Sequence, residues 1–193
     1  MSVSLSKGER VSLTKGRPSL NKILVGLGWD VNHYDGESNF DLDASVFMIK
    51  ENGKVGNDND FIFYGNLVHP TKSVEHTGDN RTGDGDGDDE VIKVKLNEIP
   101  SGYTSIVVTV TIYDAITRLQ NFGMVNNAYI RITDEETNDE IIRYDLSEDF
   151  STETALVVGE IYKHNGEWKF KAIGSGYNGG LLALCSQYGI DAE

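Results

Sequence analysis

The sequence predicts an all-β protein: a two-sheet β-sandwich with a few short peripheral helices, one of them near the C-terminus. Three observations carry that expectation. Short runs rich in Val, Ile, Tyr, Phe and Thr recur along the 193 residues, punctuated by Gly, Asn and Asp. Several runs alternate with period two, as in VIKVKL, where Ile92, Val94 and Leu96 share one face and Val91, Lys93 and Lys95 the other. No long helical pattern alternates with the runs, which argues against a parallel βαβ sheet and for antiparallel pairing. The length suits a single domain over residues 1–193.

In order, the expected strands are SVSL (2–5), RVSLT (10–14), KILVGLGW (22–29), LDASVFMIK (42–50), DFIFYG (60–65), VIKVKL (91–96), SIVVTVTIY (105–113), NAYIRIT (127–133), EIIRYDL (140–146), LVVGEIYKH (156–164) and EWKFKAIGSG (167–176). Turns are signalled by KENGK around Gly53, HNGE around Gly166 and TNDE at 137–140. The repeated SLSKG and SLTKG, at 4–8 and 12–16, predict two short strands near the start. GGLLALCSQYG predicts the C-terminal helix, and AITRLQNFG a helical turn or two. Trp29 and Trp168 are expected as core anchors, and Cys185, in an apolar run, as a buried and inert thiol.

Composition narrows the function. The formal net charge of −14 disfavours nucleic acid and anionic membranes as primary partners and favours metal ions or basic proteins. The lone cysteine fits a reducing compartment. Neither a signal-peptide run nor an apolar membrane span occurs, so the expectation is a soluble, cytoplasmic protein without direct membrane insertion.

The acid is concentrated in three blocks. Residues 30–43 hold Asp30, Asp35, Glu37, Asp41 and Asp43 without a Lys or Arg, and residues 134–149 hold eight acids against Arg143 alone. The third block, GDNRTGDGDGDDE at 78–90, has six acids, four glycines and no apolar residue. Two unit charges about 6 Å apart repel by roughly 2 to 3 kcal/mol at an effective dielectric of about 20, so a compact loop of this kind asks for a cation. Calcium takes about six to eight oxygen ligands in irregular geometry. Asp79, Asp84, Asp86, Asp88, Asp89 and Glu90 offer carboxylates, Asn80 an amide oxygen, and the glycines a backbone that can turn its carbonyls inward. The absence of nearby Cys argues against zinc or copper.

The loop is not an EF-hand. Counted from Asp79, the twelfth position is Glu90, but position six is Asp84 where glycine is required. Further ligands must come from elsewhere, and NFDLDAS, with Asp41 and Asp43, is the obvious source. Asp30, after Trp29, is a further candidate ligand or the cap of a turn. A mobile acidic linker, or a docking surface for a basic partner, fits the same composition.

Three other patterns carry less. Asp41-Leu42-Asp43-Ala44-Ser45 matches the nucleophile motif of magnesium-dependent phosphohydrolases, but polar residues precede it where a buried parallel strand is needed. Gly174, Gly176 and Gly179 have GxGxxG spacing, which a glycine-rich bend packing the last helix explains better. His33, His69, His76 and His164 are scattered without ligand spacing and are expected on the surface.

Together GDNRTGDGDGDDE, NFDLDAS, GLGWD, DFIFYGN, QNFGMVNNAYIRI, DLSED and STETALVVGEIYKHNGEWKFKAIGSGYNGGL resemble the TerD family of bacterial tellurite-resistance and general stress proteins, from the opening SLSKG to the end. The resemblance implies a β-sandwich with two calcium ions at one end and no established catalytic activity. It maps the metal motifs onto Asp41 and Asp43, and onto Asp79, Asn80 and the acids through Glu90. It also implies cytoplasmic proteins that work with other Ter products, one of them an integral membrane protein, in resistance to tellurite, phages and colicins. The competing chemistry is a metal-dependent hydrolase or phosphotransferase at the same acids.

Overall fold

The computed structural model describes residues 2–31, 38–84, 87–146 and 150–191. Its strands in chain order are β1 (Val3–Ser4), β2 (Arg10–Ser12), β3 (Lys22–Gly28), β4 (Leu42–Ile49), β5 (Phe61–Ile62), β6 (Val74–His76), β7 (Glu90–Lys95), β8 (Ser105–Ile112), β9 (Tyr129–Asp134), β10 (Glu140–Asp145), β11 (Ala155–His164) and β12 (Glu167–Tyr177). They form two six-stranded sheets, ordered β1-β10-β9-β3-β7-β6 and β2-β12-β11-β8-β4-β5. Every pairing is antiparallel except β1 with β10. One edge strand of each sheet ends on the first residue of a repeat, β1 at Ser4 of SLSKG and β2 at Ser12 of SLTKG. All four edge strands are two or three residues long, which leaves little open ladder for another chain to join.

Alternation along the strands places Ile23, Val25 and Leu27 of β3, Ile92 and Val94 of β7, and Leu42, Ala44, Val46 and Met48 of β4 between the sheets. Trp29 and Trp168 are buried in this core, as expected. A second, smaller core lies on the outer face of the second sheet. There Phe47, Phe61, Val107 and Val157 are covered by the C-terminal helix, residues Gly180–Tyr188, through Leu184, Cys185 and Tyr188. Coverage on both faces explains why β4 is buried along its whole length. The helical turn expected in AITRLQNFG is a four-residue helix, α1 (Ala115–Arg118), followed by a 3-10 turn at Phe122–Met124; the C-terminal helix is α2.

Three expectations change. The strand DFIFYG shrinks to Phe61–Ile62, because Phe63 turns back to bridge Asn66. A strand not expected, β6, forms at Val74–His76 by pairing with β7, a three-residue segment too short to show periodicity. His69 and His76 are buried instead of exposed, while His33 lies outside the described residues.

Each buried histidine faces a buried acid. Asp60 accepts hydrogen bonds from the Tyr103 hydroxyl (2.7 Å), the Gly56 and Asn57 amides (2.6 and 3.3 Å) and His69 Nε2 (3.2 Å), and His69 Nδ1 accepts from the Thr71 hydroxyl (2.7 Å). Burial pushes the Asp60 carboxyl up, but those donors outweigh it and leave it below its ordinary 3.8. The network pins the β4–β5 and β5–β6 connections. Asp60→Ala should leave its donors unsatisfied and cost about 3 kcal/mol, lowering the melting temperature by about 6 to 12 °C. The contribution of the ionised carboxylate is complete above the ordinary value and is lost as pH falls through the lower folded one, so acid titration of wild type and variant should converge only at low pH.

Candidate metal centre

Strand β4 delivers two of the predicted ligands. Asp41 precedes the strand and Asp43 is its second residue, so both lie on the face opposite Leu42 and Ala44, which enter the core. Asp79 comes from the β6–β7 loop of the other sheet. One oxygen each of Asp41, Asp43 and Asp79 lies within 4.8 Å of the others, in a pocket of about 360 Å³ whose walls include Tyr64, Tyr113, Arg81 and Arg118. The convergence of NFDLDAS with the acidic loop is therefore present in the fold.

Glu90 sets that approach. It is the first residue of β7 and is fully buried. Oε2 accepts the Ala44 backbone N–H of β4 (2.7 Å), and Oε1 accepts the Asn80 backbone N–H (3.3 Å). His76 Nδ1 accepts the Gly78 N–H (3.2 Å), and its Nε2 lies 3.4 Å from Glu90 Oε2. Glu90, predicted as a ligand, is buried with each oxygen accepting a backbone N–H.

Two of the three aspartates have counter-ions. Arg118 Nη1 is 3.5 Å from Asp41 Oδ2, and Arg81 Nε is 2.9 Å from Asp79 Oδ2. Asp43 is only 5% exposed, and among the described residues its carboxylate makes no hydrogen bond or ion pair, Arg118 acting on it only from a distance. Burial, then the charges of Glu90, Asp41 and Asp79, push it up to about 8. Burial raises Asp41 too, against the opposing pull of Arg118.

The remaining candidates are placed elsewhere. Asn80 organises the loop: its Oδ1 accepts the Thr82 and Gly83 amides (3.1 and 3.2 Å), and its Nδ2 donates to Asp89 Oδ1 (3.3 Å). Gly83 lies so close to Trp29 that a Cβ there would come within 2.6 Å of the indole nitrogen, which fixes the loop against the core. Asp89 accepts the Trp29 N–H (3.0 Å). Asp88 turns the other way, across Gly26, to accept from Arg131 Nε (2.7 Å) and the Tyr129 hydroxyl (3.1 Å). A side chain at 26 would overlap Asp88, so the glycine admits the carboxylate to Arg131, its register partner on β9. Asp30 is exposed and accepts from Asn127 Nδ2 (2.6 Å), and Asp84 is exposed. Asp86 lies outside the described residues, as do Asp35 and Glu37. Among the described residues Asp41, Asp43 and Asp79 are the one group of three potential ligands. Sequence reasoning did not single out Arg118, Arg131, Tyr64 or Tyr113, whose parts depend on strand pairing.

Residues 1–188 match the family model described as the TerD domain. The chain belongs to the TerD family. It is 58% identical to the tellurium resistance protein TerD of Serratia marcescens, with all of both chains aligned. It is 57% identical to general stress protein 16U of Bacillus subtilis, over 98% of each chain. A solved structure of a homologue of telluride resistance protein (TerD) from Streptomyces coelicolor superposes with a TM-score of 0.71, covering 86% of this chain and 95% of that one at 19% identity, a likeness of fold. TerD-family members are thus tellurium-resistance and stress-response proteins, named for resistance and stress and not for catalysis. Among the described residues no helix is long and apolar enough to cross a membrane.

Two substitutions separate the acids by role. Because the folded Asp43 carboxyl sits near 8, the ion-free protein should lose stability as pH rises from the ordinary 3.8 through that value. Asp43→Asn should remove the loss, raising the ion-free melting temperature at alkaline pH by about 2 to 4 °C for each kcal/mol of relieved repulsion. Asp88→Asn, which breaks the Arg131 pair, should lower the melting temperature with or without added calcium.

Proposed function

We propose that the protein is a calcium-binding, non-catalytic stress-response module in which an ion held by Asp41, Asp43 and Asp79 orders the acidic loop and its surroundings as a surface for other Ter-system proteins, a membrane component among them. The observation that carries this reading is Asp43, a buried carboxylate beside two others with no hydrogen-bond or ion-pair partner among the described residues. Leaving it so costs stability, and a cation at the junction of the three oxygens turns that cost into binding energy. An all-oxygen donor set in irregular geometry suits calcium. Three carboxylates leave about three to five positions for backbone carbonyls, water or an incoming anion. A second ion, as the resemblance implies, would draw on other acids of the 78–90 segment.

In this reading the protein acts in the cytoplasm, in resistance to tellurite, phages and colicins, through contacts that depend on the ordered loop. A hydrolase or phosphotransferase would need a general base beside the ion. His76 is turned into the core toward Glu90, and the acids of the pocket are themselves the ligands, so binding is the better-supported role.

Calcium at 100 times its dissociation constant stabilises a protein by about 2.7 kcal/mol, so scanning calorimetry should show a transition about 5 to 11 °C higher with calcium than with chelator. Asp41→Asn and Asp79→Asn should each weaken calcium binding at least about tenfold, the loss of one charged ligand. Identical transitions with calcium and chelator would contradict the proposal.

A further inference from the structure

We infer that the calcium-loaded end of the sandwich docks peripherally on an anionic phospholipid surface, an inference that rests on the calcium reading above. It starts from apolar side chains that nothing covers. Leu119 and Ile116, at 83% and 75% exposure, are the most exposed large hydrophobic residues among those described, and both belong to the α1 turn. The turn is bracketed by Asp114 (φ 49°) and Leu119 (φ 55°), non-glycine residues in the left-handed region, so the backbone carries strain to present these side chains outward. Tyr113, Ile116 and the exposed Leu182 line an apolar groove of about 370 Å³ that runs to the start of α2. Asp43, Tyr64 and Tyr113 line this groove and the acidic pocket alike. The apolar knuckle and the cation site are one continuous surface.

Charge selects the occupant. Arg118, the last residue of α1, stacks on Tyr113 with its guanidinium 5.1 Å from the ring centroid and neutralises Asp41; Arg81 neutralises Asp79. An ion that takes both carboxylates releases both guanidiniums, at a site where calcium still has open positions. Phosphate oxygens are the ligand shared by a guanidinium fork and a calcium ion. A phosphate layer backed by an apolar phase is a phospholipid interface, where protruding Ile and Leu side chains find an apolar environment without a matching cavity. Without the ion, a chain of net charge −14 with its carboxylates at this end is repelled by such a surface. Docking is therefore conditional on calcium, which reconciles it with the composition.

The test is co-sedimentation of the full chain with vesicles of phosphatidylglycerol and phosphatidylethanolamine in equal parts, and with vesicles of phosphatidylcholine alone, with calcium or chelator. Calcium binding is measured on the same samples by calorimetry, and free inorganic phosphate serves as competitor. The expected result is sedimentation with the anionic vesicles in calcium only, weakened at least about tenfold by the double variant Ile116→Asp, Leu119→Asp, which keeps its melting temperature and calcium affinity. Arg118→Gln should weaken it several-fold, and phosphate alone should not reproduce it. Calcium binding without vesicle binding overturns this inference and leaves the calcium reading standing, whereas no calcium binding removes both. Equal binding to both vesicle types overturns it too. So does a calcium-induced dimer in sedimentation velocity that the double variant abolishes, since a second copy would then cover the knuckle.

Discussion

The buried carboxylate of Glu90 is the contact on which the rest of this end of the molecule depends. It opens β7 in one sheet and accepts the Ala44 N–H of β4 in the other, so the two sheets are joined by a charge-assisted hydrogen bond as well as by apolar packing. Its second oxygen holds the backbone of Asn80, whose side chain shapes the acidic loop. Asp43 and Asp79 are neighbours of the two residues it grips. Glu90 thereby brings acids from two sheets together, and being negative itself, it adds to the repulsion that raises Asp43.

Two buried aspartates show how this framework and the site differ. Asp60 is surrounded by donors that satisfy it and hold its carboxyl below the ordinary value. Asp43, also buried, has no donor among the described residues and is pushed the other way. Both are buried carboxyl groups, yet only the second ionises at a cost that a cation would relieve. Paying for an unsatisfied charge at one point is tolerable because the double core, with β4 covered on both faces, stabilises the strand that carries it. The arginines at the pocket rim reduce the repulsion without removing it. The Arg81 side chain is exposed and that of Arg118 half-buried.

Much of this was legible in the sequence. The period-two runs located most strands, the glycine-rich turns located the hairpins, and the repeated SLSKG and SLTKG marked two edge strands that end in different sheets. The failed EF-hand spacing pointed outside the loop for ligands, and NFDLDAS supplies two of the three acids that meet. What composition could not show is which way each acid turns. Asp88 and Asp89 are adjacent in the segment just before β7, yet one reaches across Gly26 to Arg131 and the other to Trp29. Arg131 is 43 residues from Asp88 and becomes its partner only through the register of β3 with β9. The buried histidines were missed for a similar reason: His69 meets Asp60 across a loop and His76 faces Glu90 from the unexpected strand β6, and neither pairing has a local signature.

The most direct test of the central claim is a calcium titration of the nitrogen-15-labelled protein followed by amide NMR. If an ion enters between Asp41, Asp43 and Asp79, the amides of residues 41–45 and 79–83 and the Arg118 side chain should shift first and saturate together, while Gly56 and Asn57 beside Asp60 stay unmoved. Shifts confined to other regions, or none at calcium concentrations that leave the protein soluble, would contradict it.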